Sequence, residues 1–214
     1  MSADLADFLP KWKVDYHDYW LDVEGKPCTE ITEHLLKHLR WCWRDAYEAN
    51  TEFEMDIVEC LEGDLVYQFD TKVVEDNVQC QKAGRLVAVY GRVGELAGLK
   101  WPSAKLRQRF LGPTEKWIGP VDKGHFIAHT LGGSSNMNIF PQVRELNRGW
   151  SEAGKKFREM ERYAAEHPGT LIFNRPMYSD GTVWPRCFEF GVLQADGALW
   201  VDLFDNQRPP GAII

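Results

Sequence analysis

Asp122-Lys123-Gly124-His125-Phe126-Ile127-Ala128-His129-Thr130-Leu131-Gly132-Gly133, then Asn136-Met137-Asn138-Ile139-Phe140-Pro141-Gln142 and Leu146-Asn147-Arg148-Gly149-Trp150, is the stretch from which the rest of the chain is read. A histidine borders an apolar run, and a loop rich in Gly, Ser and Asn follows it. A second polar segment carries a proline, and a helix start carrying an asparagine comes next.

Downstream, Glu152 to Glu166 reads as a helix with Phe157, Met160 and Ala164 on one stripe and Pro168-Gly169 ending it. Three strands are expected after it: Thr170 to Tyr178, Val183 to Leu193 and Ala198 to Phe204. Ser179-Asp180-Gly181 and Ala195-Asp196-Gly197 join them, and Asp-Gly between apolar runs is a hairpin signal. Upstream, residues 94–118 read as loop and short helix. Their basic cluster, Lys100, Lys105, Arg107 and Arg109, is either a solvated face or a phosphate-contacting rim.

Earlier strands are expected at Leu65 to Phe69, Lys72 to Cys80 and Arg85 to Val93. Ile31, Leu35, Leu36, Leu39, Trp43 and Tyr47 recur at helical spacing and predict a helix from about Glu30 to Glu52. His34 and His38 lie four apart on it without the glutamate of an H-E-x-x-H pattern, so they read as surface or partly buried histidines. Residues 1–27 mix aromatic and acidic side chains and fit a short helix or irregular packing. The chain is thus expected to be α+β. Residues 1–80 would form an acidic, largely helical extension packed on a core of residues 81–214 with an antiparallel sheet.

Composition fits a packed protein: 44% of the 214 residues are hydrophobic and nine are tryptophan. No run reaches the roughly 18 apolar residues of a membrane helix. The acidic start lacks the basic region of a signal peptide. A cytoplasmic protein is expected, or one exported without a cleavable signal peptide as an effector. Five scattered cysteines without a C-x-x-C pair read as thiols in a reducing compartment.

The net charge of −7 conceals a division. Residues 1–81 hold 7 Lys and Arg against 19 Asp and Glu, and residues 82–214 hold 18 against 13. The half with the central stretch is basic, as a surface for a polyanion should be. The acidic half either solvates a helix pair or tempers binding and presents a surface to a partner.

Phosphodiester hydrolysis needs a base for water, a cation for the developing charge and positive groups to hold the strand. His125 has the setting of the base, since an imidazole near its normal pKa accepts a proton at pH 7. Gly124 before it lets a backbone or phosphate approach closely. Asn147 offers a neutral oxygen to a hard divalent ion, which with few protein ligands keeps most of its waters. Glu161 or Glu159, further along the helix, would hold a metal-bound water.

The ordered series D-x-G-H, G-G, N-x-x-P-Q with one extra residue, and L-N-R-G-W resembles the DNA/RNA non-specific endonuclease family of the ββα-metal (His-Me finger) superfamily. Within it, the nuclease domains of bacterial polymorphic toxins are the most similar. The similarity spans about residues 84–205. It takes in Phe157-Arg158-Glu159-Met160-Glu161-Arg162-Tyr163, Arg175-Pro176-Met177-Tyr178 and Pro185-Arg186-Cys187-Phe188-Glu189.

The resemblance implies His125 as general base, Asn147 as the direct ligand of Mg²⁺ (Mn²⁺ as a substitute) and Glu161 as the holder of metal waters. Asp122 and Gln142 would brace the loop. Asn138 would brace it too, or join Arg186 in contacting substrate. Lys123, Arg148 and Arg186 would supply positive charge. Three departures stand out. Lys123 occupies a position where arginine is common, exchanging a fork for a point charge. His129 is either an extra phosphate contact or a loop-packing residue. The longer spacing from Asn147 to Glu161 leaves Glu152 or Glu159 as alternatives.

The expected function is a Mg²⁺-dependent endonuclease cutting DNA, RNA or both, in the manner of a toxin effector, with an immunity or inhibitor protein as a further partner. The alternative is a catalytically weak, nuclease-like protein-interaction module, motivated by Lys123 and the negative net charge.

Overall fold

The computed structural model describes residues 3–74, 83–94, 118–134 and 137–212. At its centre is a six-stranded antiparallel sheet in the order β1-β2-β3-β6-β7-β8. The strands are β1 (Ile57–Glu62), β2 (Leu65–Val74), β3 (Ala83–Arg92), β6 (Leu171–Met177), β7 (Cys187–Leu193) and β8 (Leu199–Asp205). A separate hairpin, β4 (Val121–His125) with β5 (Ile139–Val143), lies in the chain between β3 and β6. Every residue of β6 is buried, as befits a strand with neighbours on both sides and layers on both faces.

One face is covered by α3 (Cys28–Ala49). Ile31, Leu35, Leu39, Trp43 and Tyr47 recur every fourth residue and are all buried, each contributing roughly 1.5–3 kcal/mol by leaving water. They meet Ala88 and Tyr90 of β3 and Leu171 and Phe173 of β6, with Tyr47 reaching Val87. The helix starts two residues before the expected Glu30, directly after Pro27, and stops short of Glu52. Asn50 ends it: the Nδ2 amide donates back to the Ala46 carbonyl (2.8 Å) and to the Lys11 carbonyl (2.8 Å). Before α3, residues 3–27 include two short helices, α1 (Ala3–Phe8) and α2 (Tyr16–Leu21), with a 3₁₀ turn between them.

The opposite face carries the hairpin, a 3₁₀ turn at His129–Leu131, α4 (Arg144–Asn147) and α5 (Glu152–Glu166). Phe126, Phe140, Phe157 and Met160 pack there against Ile172, Phe188, Phe190 and Phe204. Helix α5 has the expected bounds: Ser151 Oγ accepts from the Gly154 amide at 3.0 Å, capping the first turn. Gly154 is where α5 crosses α4, and a Cβ there would lie 2.7 Å from the Leu146 carbonyl oxygen. The C-terminal meander β6-β7-β8 is antiparallel as expected.

The acidic part of the chain is helical only through Ala49. From Ile57 it supplies β1 and β2 to the same sheet as the C-terminal meander, so that sheet runs across position 80. Strand β1 was not expected. It is an edge strand whose Val58 and Leu61 point to solvent, which removes the alternation that marks a half-buried strand. The far end of the expected strand Lys72 to Cys80 lies outside the described residues. Among the described residues, no helix is long and apolar enough to cross a membrane.

Candidate functional site

The hairpin pairs Asp122 with Gln142, Gly124 with Phe140 and His125 with Ile139. Alternation along β4 sets Asp122 and Gly124 toward one side, Lys123 and His125 toward the other. A Cβ on Gly124 would fall 2.1 Å from Gln142 Oε1 and 2.6 Å from Gln142 Cβ. The close approach that Gly124 permits is therefore made by Gln142 from across the hairpin. Gln142 is fully buried, and among the described residues neither of its amide atoms has a hydrogen-bond partner.

Asp122 is the hub that fastens α4 to the hairpin. Its Oδ1 accepts from Arg144 Nε (3.1 Å) and Arg148 Nη2 (3.1 Å), and its Oδ2 accepts from Arg148 Nε (2.6 Å) and Asn147 Nδ2 (3.2 Å). Burial opposes ionisation of this carboxyl. The hydrogen bonds from Arg148, Asn147 and Arg144 outweigh it and hold the pKa below the ordinary carboxylate value. Committing Nδ2 to Asp122 fixes which end of the Asn147 amide is which and leaves Oδ1 as its hard oxygen donor.

His125 is half-buried at the end of β4. Burial, then the neighbouring His129, lower its pKa to about 4, so it is neutral through the physiological range. Burial also lowers the pKa of Lys123, beside it on the strand. His129 pairs Nδ1 with the Gly133 carbonyl at 3.1 Å, an interaction that packs the loop.

Helix α5 brings Glu161 to the same layer. Arg158 Nη2 donates to the Asn147 carbonyl at 3.2 Å, tying α5 to the end of α4. One turn on, burial raises the Glu161 pKa to about 7 against the opposing pull of Arg158. Glu152 and Glu159, the alternatives from spacing, are exposed, and Glu152 pairs with Lys155. A desolvated carboxyl and an oriented amide oxygen suit a hard cation that keeps water around it. Among the described residues, no three His, Cys, Asp or Glu side chains gather into a fuller metal cage.

Asn138 is 0% exposed. Its Oδ1 accepts from the Ile127 amide (2.9 Å), and its Nδ2 donates to the Ile127 (2.6 Å) and Ser134 (3.0 Å) carbonyls. It braces the loop and presents no surface to a substrate. Arg186 is buried and paired with Asp205. Arg148 is exposed, held by Asp122, and lies 5.1 Å from the centre of the Trp150 ring. The basic cluster Lys100, Lys105, Arg107 and Arg109, and Asn136 of the central stretch, lie outside the described residues.

Three positioning residues escaped the sequence reading. Arg144 shares Asp122. Asn174 on β6 donates to the Phe126 carbonyl at 2.7 Å. Asn206, past the end of β8, accepts from the Val143 amide (2.8 Å) and donates to the Pro141 (3.0 Å) and Pro185 (2.9 Å) carbonyls. No local spacing flags such contacts, because their partners are 21 to 65 residues away in the chain.

No protein-family model matches the chain, and no curated protein matches it.

Proposed function

We propose that the β4–β5 hairpin with α4 and α5 is a ββα-metal core and that the protein is a metal-dependent endonuclease acting on DNA, RNA or both. The observation that carries this reading is the Asp122 clamp. One carboxylate on β4 orients the Asn147 amide on α4, three residues before the imidazole at the end of the same strand.

On this reading Asn147 Oδ1 is the direct ligand of Mg²⁺ and Glu161 holds its waters. The ion when bound supplies positive charge at the phosphoryl and leaving oxygens. His125, neutral at pH 7, takes a proton from the attacking water as its oxygen bonds to phosphorus and the phosphorus–O3′ bond breaks. Lys123 and Arg148 add positive charge along the strand's path. Because such contacts are to the backbone, little sequence preference is expected.

A second reading, a nuclease-like interaction module with little turnover, draws on the same histidine. A pKa of about 4 makes His125 a weak proton acceptor. Plasmid DNA and RNA incubated with Mg²⁺ or with EDTA separate the two. The nuclease reading expects Mg²⁺-dependent cleavage, lowered about 10²–10⁴-fold in a folded His125→Ala variant. Cleavage by that variant at the wild-type rate sinks the mechanism, and intact substrate with wild-type protein supports the binding module.

A further inference from the structure

On the far face of the sheet from His125, where the end of α3, the 3₁₀ turn after α1 and the loop after β6 meet, there is a cavity of about 580 Å³. That is within the size range of small-molecule sites. Phe8, Trp12, Phe53 and Tyr178 supply aromatic walls, and Arg85 of β3 lies among them.

Arg85 is 3% exposed and has no carboxylate in contact among the described residues. Its charge is instead surrounded by the rings of Tyr178 (4.5 Å), Phe53 (4.6 Å) and Tyr47 (5.3 Å). Nε donates to the Tyr47 hydroxyl (3.0 Å), and Nη1 donates to the Asp180 (2.7 Å) and Thr182 (3.4 Å) carbonyls. Buried Asp70, the partner of Arg85 across the β2–β3 ladder, accepts from the same Tyr47 hydroxyl at 2.9 Å. Nη2 has no partner among the described residues and is the nitrogen left to the cavity. Nη2 is not sealed off from the cavity, so its donors are open to an acceptor there.

We infer that this cavity is a binding site for a small aromatic carboxylate, with the carboxylate on Arg85 Nη2 and the ring between Trp12, Phe53 and Tyr178. Ring faces of this kind favour a planar body. Against Arg85 and Lys11, the lining sets Glu52 and Asp180, with Asp70 behind Arg85, which disfavours a doubly charged anion such as a phosphate monoester. The inference is independent of the nuclease reading, since it concerns the opposite face of the sheet.

Calorimetric titration of the full chain with benzoate, phenylacetate and indole-3-acetate, each beside its primary amide, tests it. At least one acid should bind saturably at one site, with its amide about 10- to 100-fold weaker, the loss expected when a charge-assisted hydrogen bond is removed. Arg85→Met should remove the preference for acid over amide, but it also breaks the contacts to Asp180 and Tyr47. Ala49→Trp is the second variant. Ala49 is exposed on the cavity lining, so a large side chain fills the space without disturbing the core. Its circular dichroism and melting should match wild type while binding is lost. No binding of any of the three acids, amides binding as tightly as acids, or an Ala49→Trp protein that binds like wild type each overturns the inference.

Discussion

The two faces of the central sheet use directional bonds differently. Beneath α3, Leu35, Leu39 and Trp43 press on Tyr90, Leu171 and Phe173, and the directional bonds there run between side chains, Tyr47 to Asp70 and Arg175 to Glu189. Beneath the hairpin, the apolar contacts of Phe126, Phe140 and Phe157 are joined by three fully buried asparagines. Asn138, Asn174 and Asn206 fasten the backbone of the loop and of β5 through directional bonds. Apolar packing sets that two layers meet. Amide bonds set where a given backbone atom lies, which a reacting site requires. The difference bears on the proposed function, since the amide-pinned face is the one that carries the Asp122 clamp and the titration-shifted His125 and Glu161.

Truncation on each face should separate stability from activity. Leu39→Ala should cost about 2–5 kcal/mol in urea unfolding while leaving nuclease turnover of the folded protein unchanged. Asn138→Ala should cost about 2–4 kcal/mol, because it orphans the Ile127 amide and the Ile127 and Ser134 carbonyls, and should also abolish cleavage. If both variants lose activity in proportion to stability alone, the contrast between the faces is wrong.

The pH dependence of unfolding in EDTA should sharpen the same contrast. His125 titrates near 4 when folded, against 6.5 when unfolded, so the unfolded chain binds more protons in that window. Its contribution is complete above about pH 6.5 and falls by roughly 2–3 kcal/mol as pH drops toward 4. Glu161 titrates near 7 when folded, against 4.5 unfolded, so here the folded chain binds more protons. Stability from that group falls by a similar roughly 2–3 kcal/mol as pH rises from about 4.5 to 7. The two opposing slopes should nearly cancel in the wild type. His125→Gln should leave stability that declines with rising pH, and Glu161→Gln should leave stability that increases. Identical profiles for all three proteins would dismiss both shifts.

The smallest stability effect is expected at Asp122, whose partners are partly solvated. Asp122→Asn should cost about 1–2 kcal/mol. It should lower cleavage disproportionately, since Asn147 and Arg148 lose their common anchor. A loss of stability with full activity would make the clamp merely structural.

What was legible in the sequence was local. Helix α5 could be read to the residue, because its stripe is regular and Pro168-Gly169 ends it. The meander was legible from its Asp-Gly turn at Asp196-Gly197, whose glycine has φ 87°. Strand β1 was not, since its outward Val58 and Leu61 hide the burial pattern. Along β4 and α4, the residues singled out by their order include Asp122 and Asn147, which the structure brings into contact. Arg148 was read as charge directed at phosphate, and its exposed guanidinium is also engaged by Asp122, 26 residues away. Gly124 was read as room for a ligand, and the room is filled by Gln142. Partnerships across the fold decide both, and neither spacing nor composition encodes them.

The central claim is that Asn147 and His125 serve one hydrated cation. A crystal of the full chain soaked in Mn²⁺, with anomalous scattering measured at the manganese edge, tests it most directly. The account predicts one peak about 2.1 Å from Asn147 Oδ1, on the side facing His125 and Glu161, absent in Asn147→Ala. Manganese bound only elsewhere, or no peak beside Asn147 in crystals grown near neutral pH, would contradict it.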